Sequence, residues 1–271
     1  MMSDDTVLFS ESVCIVFSSP LMEGTMKTNH SKVAIVTGAS RGIGAQLAKS
    51  LAEDGVRVVV NYAQHAAKAD EVVDRINSAG GHAIALQADL SERGGAVALF
   101  DGAEQAFGPV DILINNAGIM HLSPVADTAD DAFEQMLNLN LSGSFRTMRE
   151  ATKRLTEGGR IINFSSSVVG LYQPAYGSYA ATKAGIEAMT KVLAKELGPK
   201  RITVNAIAPG PVATALFMAG KSEELIARIK GMNPFGRLGE PEDIAPIVRF
   251  LASDESGWIN GQIIRANGGV I

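Results

Sequence analysis

From Lys32 onward, short β-branched apolar runs alternate with stretches in which apolar residues recur every three or four positions. The run KVAIVT (32–37) ends in glycine-rich sequence and reads as a buried strand, and Ile43, Leu47 and Leu51 follow it at helical spacing. The same alternation repeats along the chain. Strands are predicted at VRVVVN (56–61), HAIALQ (82–87), VDILIN (110–115), RIINFS (160–165), RITVNAI (201–207) and GQIIRAN (261–267). Helices are predicted over 66–79, 91–107, 130–155 and 177–198. Strands joined by crossovers of this length pair in parallel. With no internal repeat, low-complexity tract or linker, residues 31–271 are expected to form one doubly wound α/β domain, a seven-stranded parallel sheet flanked by helices.

Composition narrows the function. Apolar residues make up 46% of the 271 and charged ones 20%, enough for a sizeable core. A net charge of −5 offers no broad basic surface, so no nucleic-acid partner is expected. No apolar run approaches the ~18 residues of a membrane span. The lone Cys14 forms no internal disulfide and fits a reducing, cytoplasmic setting. His30, His65, His82 and His121 are scattered without ligand spacing, so no metal site is expected. Residues 1–30 open acidic, and their apolar VCIVF is too short for a signal peptide; they read as a disordered N-terminal extension, with Met26 an alternative start.

The first candidate chemistry is TGASRGIG (37–44), between the first strand and the first helix. Gly38, Gly42 and Gly44 allow tight turning and close backbone approach, and the helix N-terminus offers amides to a pyrophosphate. The letters also contain the G-x-S-x-G of a hydrolase elbow, but no histidine follows His121 to complete a triad. The G-x-G-x-x-G fingerprint fails because Leu47 follows Gly42 and Gly44 where glycine is required. Taken alone, the loop is equally a structural turn.

Four motifs in order change this. Thr-Gly-x-x-x-Gly-x-Gly, NNAG (115–118), Tyr-x-x-x-Lys (179–183) and Pro-Gly (209–210) resemble the short-chain dehydrogenase/reductase family over residues 32–271. VVVNYA and GRLGEPEDIA are similar to its 3-oxoacyl-carrier-protein and polyhydroxynaphthalene reductase members. The resemblance implies a Rossmann-type NADP-binding domain. It places the cofactor on Gly38, Ser40, Arg41, Gly42, Ile43 and Gly44, on Asn61 and Tyr62, and on Asp89 at the adenine. Asn116, Ala117 and Gly118 would form the ribose-side wall, and Pro209, Gly210, Val212 and Thr214 the nicotinamide side, with Ile207 flanking. The apolar positions among these suit a core equally. The second strand ends Val60-Asn61-Tyr62 without the carboxylate that grips a 2′-hydroxyl, and Arg41 can meet a 2′-phosphate with Ser40 beside it, so NADP(H) is expected over NAD(H).

Tyr179 and Lys183 are one helical turn apart. A phenol has a pKa near ~10, and proton transfer near neutrality asks for a drop of about three units, roughly 4 kcal/mol. A cation about 4 Å away at an effective dielectric near ~20 supplies that order of energy. The expectation is therefore that Lys183 lowers the pKa of Tyr179. By the resemblance, Tyr179 protonates the carbonyl oxygen and Lys183 also holds the nicotinamide ribose. Tyr176 lies too far from Lys183 to share the coupling, and with Tyr172 reads as substrate wall. SSS (165–167) leaves the serine partner open: two counts point to Ser166 and one to Ser167. Asn140 matches the family's helix asparagine, linked to a water-borne proton path, and Asn138 does not. Asparagine is a poor helix interior residue, so a non-helical reason for it is expected.

Residues 211–240 read as a lid whose Leu216, Phe217 and Met218 suggest an apolar substrate. The resemblance implies a 3-oxoacyl-carrier-protein reductase of fatty acid biosynthesis. Its substrate would ride on acyl carrier protein or coenzyme A, with Lys153 and Arg154, or Lys200 and Arg201, as the basic rim. A sugar, polyol or aromatic ketone is the alternative substrate, and a non-catalytic NADP(H) sensor the alternative class. A homotetramer is implied, with Ala180, Ala181, Ala184 and Ala188 permitting close helix approach.

Overall fold

The computed structural model describes residues 31–271; the expectations for the N-terminal extension, Met26, Cys14 and His30 lie outside them. Seven strands form one all-parallel sheet in the order β3-β2-β1-β4-β5-β6-β7. They are β1 (Val33–Val36), β2 (Arg57–Tyr62), β3 (His82–Gln87), β4 (Ile112–Asn115), β5 (Arg160–Phe164), β6 (Thr203–Pro209) and β7 (Ile263–Ala266). The apolar runs are continuous because both faces are covered, and successive side chains go to opposite layers. Ala34 and Val36 join Val58, Val60, Ile112 and Ile114 under α1 (Gly42–Glu53), α2 (Ala66–Ser78) and α10 (Pro241–Ala252). Val33 and Ile35 join Val59 and Leu113 against α3 (Gly95–Phe107), α5 (Ser144–Arg154) and α7 (Gly177–Glu196).

The order reverses at β1, which is hydrogen-bonded to β2 on one side and β4 on the other, with Val36 level with both Val60 and Ile114. Such a switch point opens a crevice beyond the carboxyl ends of the strands. The glycine loop and the NNAG stretch meet there.

One predicted helix is not continuous. The span 130–155 is α4 (Asp130–Met136), a π-helical segment Leu137–Gly143, and α5. Asn140 lies within the wide segment, which is the non-helical reason its presence called for. β6 also runs two residues beyond its predicted end, to Pro209, level with Ala266 of β7. After β5 the chain makes α6 (Val168–Leu171) and passes left-handed residues Tyr172 (φ 50°) and Ala175 (φ 69°) before α7 begins. The span expected to act as a lid contains α8 (Ala215–Met218) and α9 (Glu223–Met232), capped by Thr214 and Ser222 side chains. Among the described residues, no helix is long and apolar enough to cross a membrane.

Candidate active site

A cavity of about 580 Å³ runs along the crevice. It is lined by Gly38, Ser40, Arg41, Gly42, Ile43, Gly44, Asn61, Tyr62, Asp89, Asn116, Ala117, Gly118 and Thr214, all expected there from the sequence. The walls leave no room for a side chain at two of the loop's glycines. A Cβ on Gly44 would stand 2.6 Å from both the Gly38 carbonyl and Asn116 Nδ2, and one on Gly38 (φ +62°) 2.9 Å from Ala117 Cα. No side chain caps the first turn of α1, which leaves its amides for a ligand's oxygens. Together the bare loop, the uncapped helix start, Arg41 and the carboxylate-free end of β2 fit a dinucleotide carrying a 2′-phosphate.

Two of these residues have structural duties instead of free donors. Asn61 is buried, and its amide bonds the carbonyls of Leu86 and Ala88 while its oxygen accepts from the Gly38 amide at 3.3 Å. It ties the glycine loop to the end of β3 and has little left for a cofactor. Asn116 Nδ2 donates to the carbonyls of Thr37 (2.9 Å) and Gly38 (3.1 Å). Asp89 accepts from the Ser91 amide and hydroxyl at 2.9 and 2.7 Å, which fixes its carboxylate at the cavity edge. Ile207 does not flank the cavity: it is fully buried in the core, because inward positions of a doubly covered strand face helices. Thr37, the first residue of the glycine motif, was given no role of its own in the sequence, yet its hydroxyl accepts from the amides of both Asn116 and Ala117 at 3.0 Å.

A second cavity, of about 170 Å³, adjoins the first through Ile43, Asn116, Gly118 and Thr214. Ser166, Tyr179, Lys183, Pro209, Gly210 and Val212 line it. The three serines differ in their hydrogen bonds. Ser167 is buried, donates to the Ala208 carbonyl (3.0 Å) and accepts from Asn267 Nδ2 (3.0 Å), and Ser165 donates to Glu187 (2.7 Å). Ser166 is the serine whose side chain interacts with the Tyr179 phenol and lowers its pKa. Asn140 is buried beneath both cavities. Its oxygen accepts from the Ile119 amide and its nitrogen donates to the Ile119 carbonyl, each at 2.8 Å, and to Thr182 Oγ1 at 3.3 Å. It fixes the wall at Gly118, where an added Cβ would meet Asn140 Oδ1 at 3.2 Å and Lys183 Nζ at 3.7 Å.

The electrostatic expectation is corrected. Lys183 Nζ lies 5.7 Å from the Tyr179 ring centre and donates to the Phe164 carbonyl at 2.8 Å. Burial pushes the Tyr179 phenol up to about 12, against a smaller lowering by its bond to Ser166. Burial also pushes the Lys183 ammonium down to about 8. In the enclosed cavity the desolvation of the charged form is the largest influence on each group. Both shifts carry a sign for stability. Between about 8 and 10.5 the unfolded chain keeps a proton on Lys183 that the folded chain has shed, so stability climbs with pH across that window. From 10 to about 12 Tyr179 acts in reverse, its folded form holding the proton longer, and stability falls. Lys183→Met is expected to flatten the climb, measured by urea unfolding across the lower window; an unchanged slope would show that the ammonium is not desolvated.

Fold and site define a nucleotide-dependent oxidoreductase: a switch-point crevice shaped for a dinucleotide, opening onto a pocket with a hydroxyl pair and a buried lysine. Comparison with known proteins makes this specific. A family model described as Enoyl-(Acyl carrier protein) reductase matches residues 38–271. A short-chain type dehydrogenase/reductase of Picea abies is 48% identical over 250 residues, covering 89% of this chain and 92% of that protein. The NADPH-dependent aldehyde reductase 2, chloroplastic, of Arabidopsis thaliana is 48% identical over 255 residues, covering 89% and 94%. The crystal structure of the angucycline C-6 ketoreductase LanV with bound NADP superposes with a TM-score of 0.84 at 36% identity, covering 89% and 96%. The chain belongs to the short-chain dehydrogenase/reductase family, oxidoreductases acting on carbonyl and alcohol groups. Cleft and relatives agree on NADP(H) as the cofactor.

Proposed function

We propose that the protein reduces neutral, largely apolar aldehydes and ketones with NADPH. The observation that carries this is the second cavity. Its reacting end offers neutral hydroxyls from Ser166 and Tyr179, and its walls are Met120, Val168, Leu171, Leu216, Phe217, Ile229, Met232 and Val270. Among the described residues, Lys183 is the one cation lining it, and it is committed to the Phe164 carbonyl, so none of them anchors a carboxylate or phosphate there. Bound NADPH supplies the hydride. Ser166 donates a hydrogen bond to the carbonyl oxygen, and Tyr179 gives that oxygen its proton as the alkoxide develops. A phenol held near 12 is protonated at neutral pH, the state that reduction requires. The aldehyde and ketone reductases among the relatives support the same class.

The carrier-bound thioester has weaker support. Its proposed basic rim lies at the opposite, amino end of the strands: Lys153 and Arg154 close α5 just before β5, and Lys200 and Arg201 precede β6. These cations are also engaged. Arg154 pairs with Asp101 (2.7 Å) and Glu104 (2.6 Å), Lys153 with Glu150 (3.3 Å) and Arg201 with Glu157 (2.9 Å), while Lys200 donates to the Thr152 carbonyl. A sensor has no feature of the site behind it, because it needs no Ser166–Tyr179 pair. For the homotetramer, exposed Ala181, Ala184 and Ala188 on α7 and Phe145 on α5 offer a face for helix approach.

Loss of NADPH absorbance across a substrate panel tests the reading. Medium-chain aldehydes and aromatic ketones are expected to exceed acetoacetyl thioesters and charged oxo acids in kcat/KM by about tenfold or more. The reverse order would overturn it.

A further inference from the structure

Three consecutive serines at the end of β5 play unequal parts, and the outer two hold the middle one. On one side, the Ser167 amide donates to the Pro209 carbonyl, and its hydroxyl is fixed between the Ala208 carbonyl and Asn267 Nδ2. On the other, the Ser165 amide donates to the Ile207 carbonyl, and its hydroxyl donates to Glu187 Oε1 at 2.7 Å. The Ser166 hydroxyl, between them, receives a long contact from the Val168 amide (3.4 Å) and interacts with the Tyr179 phenol.

Glu187 has no part in the chemistry above. It lies on α7 four residues after Lys183 and eight after Tyr179, so all three share one helix face. Lys183 bonds the carbonyl of Phe164, and Glu187 bonds the side chain of the next residue, Ser165. Two residues one turn apart on a single helix thus grip two consecutive residues of the strand end. The helix that carries the phenol also sets where the next serine, Ser166, stands. A carboxylate can only accept, so it fixes the direction of the Ser165 hydroxyl as well as its place. A charge-assisted bond of this length is among the stronger ones available.

We propose that Glu187 is a positioning residue for carbonyl reduction: by accepting from Ser165 it sets the distance and angle between the Ser166 hydroxyl and Tyr179. The inference rests on the reading that Ser166 and Tyr179 act on the carbonyl oxygen. Small displacements of such a pair are costly to turnover and nearly silent in cofactor binding.

The test measures kcat, KM and NADPH affinity, the last by quenching of protein fluorescence without substrate. Glu187→Ala is expected to lower kcat roughly 10- to 100-fold with NADPH affinity and melting temperature close to wild type. Glu187→Gln keeps an accepting oxygen and is expected to recover to within about threefold of wild type. Ser165→Ala is expected to lose as much as Glu187→Ala, and the double variant no more than either, since all three break one bond. Wild-type kcat in Glu187→Ala would overturn the proposal. So would a fall in NADPH affinity matching the fall in kcat, a glutamine variant as impaired as alanine, or additive losses in the double variant. Ser166→Ala separates the two levels: full activity there refutes the underlying reading, whatever Glu187 does.

Discussion

Tyr179→Phe is expected to lower kcat by about three orders of magnitude while NADPH still binds with nearly unchanged affinity. The variant keeps the ring beside Lys183 and the shape of the pocket, and removes only the hydroxyl that Ser166 contacts. No neighbouring group replaces the lost acid. Tyr176 lines the same cavity, but it stands a turn earlier, as the residue before α7, and burial raises its own pKa. Lys183 is tied to the Phe164 carbonyl. Single-turnover hydride transfer and equilibrium NADPH titration on the same preparation separate chemistry from binding. Activity within about tenfold of wild type would remove Tyr179 from the reaction.

Gly95→Ala is expected to damage the fold more than any conservative change in the active site. A Cβ there would stand 1.9 Å from the Asp89 carbonyl oxygen and 2.7 Å from its carbon, both backbone atoms that cannot turn aside. The displaced stretch is well anchored: the Ala88 carbonyl accepts from Asn61, and the carbonyls of Leu90 and Ser91 accept from Arg146. Relief of the overlap must break several of these bonds. A loss of about 3 kcal/mol or more is expected in urea unfolding, together with weaker NADPH binding, because Asp89 and Leu90 line the cofactor cavity. A loss below about 1 kcal/mol would mean that the loop yields freely.

The sheet was legible in the sequence because burial on both faces leaves an unbroken apolar run, a pattern that short strands share with little else. The glycine loop was legible through backbone demands that only glycine meets. Less legible was anything decided by partners far away in the chain. Asn61 read as a cofactor contact, but its donors are spent on the end of β3, 25 to 27 residues on. The different surroundings of the three serines come from Glu187, Ala208 and Asn267, which no local count reveals. The break in 130–155 carries no proline or cap, and only the misfit of Asn140 hinted at it. The sign of the tyrosine shift was missed because pair spacing measures attraction and says nothing of desolvation, which dominates in a closed cavity.

The wide turn at Leu137–Gly143 has a consequence for how this stretch tolerates change. Each residue of an ordinary helix advances the face by about 100°, and a π turn holds one residue more than the α turn it replaces. Dropping one residue from Leu137–Gly143 would let the turn close as ordinary helix, so that Thr147, whose hydroxyl donates to Asn115 at 2.6 Å, and Met148, buried against the sheet, keep their phase. The loss would fall instead on Asn140 and its bonds to Ile119, so the extra residue serves the wall of the crevice and not the helix that follows.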